Sequence, residues 1–255
     1  MMQLSACIEW LFADEAKSVD ARIRLARQAG LDAVEFWRWS DKDLDAIEAA
    51  LRETGVSLSG FVAEPMIPLT DPANKDAFLE GLKRSVDVAQ RLGARILIAQ
   101  AGHDLAGRSR TEQRSALTAC LSAASDVLAG YGVRLGVEPL NTRIDHPGYF
   151  LPSTSEALDI VDDVDRPEIG ILYDLYHSLV MDEVPQDVLT GRVDRVIHVH
   201  VADHPGRQDP GTGGLDLKTP LKWLFDQGYD GRVGLEYRPA KGTTAGLAEV
   251  RNRLA

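Results

Sequence analysis

Eight short apolar runs alternate with amphipathic stretches along this 255-residue chain. That alternation confines the fold to parallel strands with helices packed outside them. The candidate strands are Leu4–Ile8, Ala33–Trp37, Ser57–Val62, Arg95–Ala99, Arg134–Glu138, Ile169–Asp174, Val196–Val201 and Val233–Tyr237. Helical periodicity falls between them, near Ser18–Gln28, Asp41–Glu53, Lys75–Leu92, Thr111–Leu128, Ser155–Asp162, Leu217–Asp226 and Thr244–Leu254. A weaker helical stretch covers Met181–Gly191. Gly30, Gly55, Gly93, Gly132 and Gly228 each stand between a helix and the next strand, where a C-cap needs left-handed backbone. Asp41, Thr111 and Ser155 are the expected N-caps. The predicted architecture is α/β, a single-domain (β/α)8 TIM barrel over residues 1–255. The first strand is followed by no Gly-rich dinucleotide fingerprint, which argues against an open doubly wound sheet.

One phrase occurs twice within this pattern. Arg134-Leu135-Gly136-Val137-Glu138 and Arg232-Val233-Gly234-Leu235-Glu236 both read Arg, apolar, Gly, apolar, Glu. Each is a short buried strand that ends in a carboxylate. Between them, the strands ending Tyr173-Asp174 and Val199-His200 deliver an Asp and a His to the same end of the barrel. Carboxylates at the tips of apolar strands are costly unless paired or bound to a cation. Glu138, Asp174, His200 and Glu236 are therefore the expected ligands of one divalent metal ion. The bland rival is a set of ordinary salt bridges, with Arg134, Arg143 or Arg238 as partners. Alternation also turns Gly136 and Gly234 inward beneath the two glutamates, which leaves room for a small ligand.

Other residues lie close enough along the chain to join the site. Asp174 is suited to capping a helix as well as to binding metal. His198 and His200 share one face of the seventh strand; His200 is nearer its C-terminal end and is preferred as ligand, with His198 as the alternative. His198 reads as a hydrogen-bonded core histidine. His177, in the loop after the sixth strand, is expected to face substrate. So is Arg207, whose Gly/Pro-rich loop follows the seventh strand and whose planar fork suits a carboxylate. Glu35 ends the second strand and is expected at the pocket rim as a substrate contact, with Trp10, Trp37 and Trp39 as walls.

Bulk properties exclude some partners. A formal net charge of -11 offers no basic footprint for a nucleic acid. Two isolated cysteines, Cys7 and Cys120, make no disulfide framework, and the N-terminal stretch shows neither a signal peptide nor a membrane span. A cytoplasmic protein with a small-molecule substrate is the expectation, with a homo-oligomer left open.

At these residues the sequence resembles the xylose-isomerase-like barrel superfamily, and within it the hydroxypyruvate isomerases. The motifs are Val-Glu-Pro-Leu-Asn (137–141), Tyr-Asp-Leu-Tyr-His (173–177), the Ala-Asp…Pro-Gly-Arg…Pro-Gly-Thr-Gly loop (202–213) and Gly-Leu-Glu-Tyr-Arg-Pro (234–239). The resemblance implies a metal at Glu138, Asp174, His200 and Glu236. Mg²⁺ or Mn²⁺ is favoured, with Zn²⁺ or Co²⁺ as options. It also implies that the two glutamates act as acid and base in cis-enediol proton transfer on a hydroxy-keto acid or sugar. The hydroxypyruvate/tartronate semialdehyde pair is the expected chemistry. A ketose 3-epimerase or inosose dehydratase with the same site is the alternative. An abasic-site endonuclease or a metal-binding protein without catalysis is a weaker one. The chain departs from the hydroxypyruvate isomerases at Val62–Ile67, at His103 where lysine is typical, and at His200 where glutamine is common.

Overall fold

In the computed structural model, which describes residues 2–254, eight parallel strands pair in chain order and the last returns to the first. They are β1 (Leu4–Cys7), β2 (Ala33–Phe36), β3 (Ser57–Val62), β4 (Ile96–Ala99), β5 (Arg134–Val137), β6 (Ile169–Asp174), β7 (Val196–Val201) and β8 (Val233–Leu235). The crossings between them are right for a closed (β/α)8 barrel: α1 (Val19–Gln28), α2 (Leu44–Thr54), α3 (Lys75–Leu92), α4 (Arg110–Leu128), α5 (Thr154–Val164), α6 (Leu175–Val180), α7 (Pro185–Leu189) and α8 (Lys218–Asp226). The chain ends in α9 (Thr243–Leu254).

Alternation along the strands builds two separate apolar layers. Val34, Leu97, Leu135, Ile171, Val199 and Leu235 face outward and form one core with the helices, where α3 contributes Phe78, Leu82 and Val86 at helical spacing. Val62, Ile98 and Leu172 form a small cluster of their own, against which Trp37 packs. Among the described residues no helix is long and apolar enough to cross a membrane.

Helix ends follow the local chemistry, with two corrections. Gly55 and Gly93 close α2 and α3 at φ 69° and 76°, as expected of C-caps. The N-caps, however, are Asp43, two residues after the expected Asp41, and Ser109 and Ser153, two residues before the expected Thr111 and Ser155. Each true cap accepts the N–H three residues on, from Ala46, Glu112 and Glu156. Thr111 and Ser155 already lie in the first helical turn, and Asp41 pairs with Lys42 instead. The second correction concerns the segment after β6. Instead of a loop leading to one helix over Met181–Gly191, α6 starts at once and α7 is a separate turn opened by Pro185.

Candidate metal centre and active site

The first side chains past β5 and β8 are Glu138 and Glu236, whose backbone N–H groups still bind the neighbouring strands at Ala99 O (3.0 Å) and Val201 O (3.2 Å). The barrel's own ladder therefore fixes both glutamates. Asp174 closes β6 opposite His200 of β7, and His200 stands opposite Gly234 of β8. One ligand atom from each of Glu138, Asp174, His200 and Glu236 lies within 4.8 Å of all the others, and all four residues are buried. None of Arg134, Arg143 and Arg238 pairs with either glutamate: Arg134 donates to Pro167 O, Arg143 pairs with Asp182, and Arg238 stacks over Trp10.

The set fits a divalent cation. Asp174 Oδ1 caps α6, accepting from Tyr176 N (2.8 Å) and His177 N (3.2 Å), which leaves Oδ2 directed at the centre. Capping and metal binding are thus compatible in one side chain. His200 Nδ1 lies 3.3 Å from Glu236 Oε2 and 4.0 Å from Glu138 Oε1, buried and without a well-formed hydrogen bond. A buried nitrogen aimed at three carboxylates is satisfied by an ion placed among them. Three carboxylates and one imidazole suit Mg²⁺, Mn²⁺ or Zn²⁺.

Charge is strongly polarised around the centre. Burial raises the Glu138 carboxyl above the usual range, and the Glu236 charge adds to that. Burial also raises Asp174, against the pull of Arg207 and His200. For Glu236 burial pushes upward too, but Arg207 and His200 outweigh it and hold the carboxyl well below its ordinary value. His200 is raised well above a normal imidazole because the Glu35 and Glu236 charges overcome its burial.

Arg207 enters from the loop after β7. Its Nη2 ion-pairs with Glu236 Oε2 and lies 3.3 Å from Asp174 Oδ2. The guanidinium sits between the rings of Trp10 (5.1 Å) and Tyr176 (5.4 Å). Its backbone is left-handed at φ 53°, an unfavourable setting for a side chain, so the loop must be held. Asp203 does this, accepting from the N–H groups of His204, Gly211, Gly213 and Leu215. Of the expected walls, Trp10 and Trp37 meet edge to face at 5.1 Å, and Trp37 Nε1 donates to Glu236 Oε1 at 2.6 Å. Trp39 turns away and donates to Ser85 of α3.

His177 belongs to α6 and not to a loop, and it is 2 % exposed. Its Nδ1 accepts from Asn141 Nδ2 (2.6 Å) and Asn141 N (3.3 Å), so the ring proton is on Nε2. That Nε2 is 3.5 Å from Asp174 Oδ2 and has no hydrogen-bond partner among the described residues. Asn141 is itself oriented by Asp145, which also accepts from Tyr176 Oη. Asn141, Asp145 and Tyr176 were not singled out by the sequence; the clue was the Asn three residues after Glu138, within the motif 137–141.

Glu35 is not at the rim. It is 2 % exposed, with Oε2 2.7 Å from His198 Nε2 and 3.2 Å from His200 Nε2, and Oε1 accepting from Ser5 Oγ. The room predicted beneath Glu236 is filled by this carboxylate, since a β-carbon on Gly234 would lie 2.2 Å from Glu35 Oε1. Extended backbone at the end of β2 sends alternate side chains inward, and Glu35 is one of these. His198 is a hydrogen-bonded interior histidine, as read from the sequence.

Fold and site together define a parallel barrel with a carboxylate–imidazole cluster that could hold a metal ion at the C-terminal mouth of its strands. A family model described as xylose isomerase-like TIM barrel matches residues 23–253, and the chain belongs to that family. A putative hydroxypyruvate isomerase of Homo sapiens is 33% identical, over 98% of this chain and 95% of its own length. The hydroxypyruvate isomerase of Escherichia coli is 29% identical, covering 97% of each. A crystal structure of a protein described as AP endonuclease, family 2, from Brucella melitensis superposes with a TM-score of 0.92, at 30% identity and 99% coverage of both chains.

Proposed function

We propose that this protein is a divalent-metal-dependent isomerase that moves a proton between adjoining carbons of an α-hydroxy carbonyl acid, of the hydroxypyruvate/tartronate semialdehyde type. The observation that carries the reading is the pair Glu138 and Glu236 within one four-residue ligand set, next to a buried arginine. The names of the human and Escherichia coli relatives support the isomerase class.

The ion, when bound at Glu138, Asp174, His200 and Glu236, acts as a Lewis acid toward the carbonyl. The chain's own residues do the rest. Glu236 is held ionised by Arg207 and His200, the state a base needs. One glutamate takes the proton from carbon and the other returns one to the adjoining carbon, while the hydroxyl proton passes to the former carbonyl oxygen. Trp37 and Arg207 orient Glu236 through its two oxygens. His177 presents Nε2–H to a substrate oxygen, and Arg207 holds the substrate carboxylate.

A ketose 3-epimerase is the second reading, favoured by one observation: an imidazole, His200, stands where glutamine is common in hydroxypyruvate isomerases. A DNA-cleaving role rests on the description of the Brucella protein alone, and the net charge of -11 opposes it.

The test is turnover of hydroxypyruvate and of ketoses with Mg²⁺ or Mn²⁺ supplied, together with exchange of the substrate's α-hydrogen in deuterated water. Glu138→Gln and Glu236→Gln should each lose about 10²–10⁴-fold in turnover and lose the exchange. A variant that keeps near-normal turnover removes its glutamate from the proton transfer.

A further inference from the structure

Beneath the four ligands lies a second buried cluster that the proposed reaction does not use: Glu35, His198 and the lower edge of His200. Glu35 Oε2 is in hydrogen-bond range of Nε2 on both imidazoles, at 2.7 Å for His198 and 3.2 Å for His200. Its other oxygen accepts from Ser5 Oγ at 3.1 Å. A carboxylate offers only lone pairs, so both rings present an Nε2–H to it. For His200 this settles which nitrogen is left over. With Nε2–H pointing down to Glu35, Nδ1 is the nitrogen left to give its lone pair to an ion that displaces its proton, and it faces Glu236 at 3.3 Å and Glu138 at 4.0 Å.

The geometry depends on one missing side chain. A β-carbon at position 234 would lie 2.2 Å from Glu35 Oε1, 2.5 Å from His200 Cδ2 and 3.0 Å from His198 Nε2. At its counterpart in the repeated phrase, Gly136, the nearest atoms to a β-carbon would be Leu172 N, Ile197 Cδ1 and Ile171 C, with no carboxylate among them. The glycine of β8 thus admits Glu35 to the barrel interior, a task the glycine of β5 does not share.

We propose that Glu35 is a positioning residue: clamped by His198 and Ser5 and admitted by Gly234, it holds His200 in the tautomer that ligates through Nδ1, and so sets the affinity of the centre for its ion. The inference rests on reading the four upper residues as a metal centre. Outer partners of metal-bound histidines typically change affinity by about 10–100-fold when removed.

The experiment is calorimetric titration of Mn²⁺ into the metal-stripped protein, for wild type, Glu35→Gln, Glu35→Ala and Gly234→Ala. Wild type should take up one ion per chain. Glu35→Ala should bind about 10–100-fold more weakly. Gly234→Ala should weaken binding at least as much, because its β-carbon crowds both Glu35 Oε1 and the His200 ring. Glu35→Gln keeps an oxygen for His200 without the charge and should fall between. Circular dichroism and melting in EDTA check that each variant is folded. The ¹⁵N spectrum of the Zn²⁺-loaded wild type gives a readout free of mutation, with His200 Nε2 protonated and Nδ1 bound to metal. Unchanged affinity in folded Glu35→Ala, two ions per chain, or ligation through Nε2 would overturn the inference and leave the upper centre standing. A wild type that binds no ion overturns both.

Discussion

A guanidinium held between the rings of Trp10 and Tyr176 has lost most of its freedom before any substrate arrives. Arg207 is therefore suited to gripping a carboxylate without a further entropy cost. Replacing it by Ala should cost about 1.5–3 kcal/mol in kcat/KM on hydroxypyruvate, the range for a lost hydrogen bond between charged groups. Because Arg207 also pairs with Glu236, part of that loss will appear with any substrate. The clamp is the difference between substrates: a neutral ketose such as fructose should lose less, and Arg207→Lys should serve the ketose better than the acid. Kinetics on both substrates check this, and equal losses would remove the carboxylate clamp.

At the scale of elements, Gly81 lets α3 pack its backbone closely against the chain that leaves β3. A β-carbon on Gly81 would lie 2.2 Å from Glu64 O and 2.2 Å from Pro65 Cδ, in the segment that leaves β3. Two effects compete in Gly81→Ala. Alanine improves helix propensity by about 1 kcal/mol, whereas overpacking against backbone that cannot swing aside costs about 1–3 kcal/mol or more. Packing should win, because both neighbours are covalently tied to β3. The expected outcome is a lower Tm, at about 2–4 °C per kcal/mol for a domain near this size. A rise in Tm would show that propensity governs and that the helix has room to move.

On the scale of the whole molecule, metal, pH and stability are linked. Burial, with the Glu236 charge, raises Glu138 from 4.5 to about 8, so the folded metal-free chain keeps a proton that the unfolded chain releases. A raised group stabilises below its unfolded value, and that contribution is lost as pH climbs through the folded one. The metal-free protein should therefore lose stability from about pH 4.5 toward about pH 8. A cation must displace the same proton, so its stabilising effect should grow over that window. Melting with Mn²⁺ and with EDTA, at about pH 5 and about pH 8, checks this. A metal-induced gain in Tm that is constant or shrinks with pH would contradict it.

Much of this was legible in the chain because strand alternation is local and strict. Period two carried Glu138, Asp174, His200 and Glu236 to one end of the barrel and placed Gly234 inward, before any contact was known. Chain order alone then made them neighbours around a closed sheet. Cap positions slipped by two residues because Asp41 and Asp43, or Thr111 and Ser109, are chemically similar and only the helix phase separates them. What the sequence could not express was partnership across the barrel. Glu35 and His198 lie 163 residues apart, and Trp37 and Glu236 lie 199 apart, yet each pair is within hydrogen-bond distance. Such pairs are set by closure of β8 onto β1, which brings β2 over the floor of the centre. Residue types and strand phase determined which side chains point inward. Tertiary closure alone decided that Glu35 supports His200 from below and that Arg207 sits over Glu236, since both depend on distances no local pattern records.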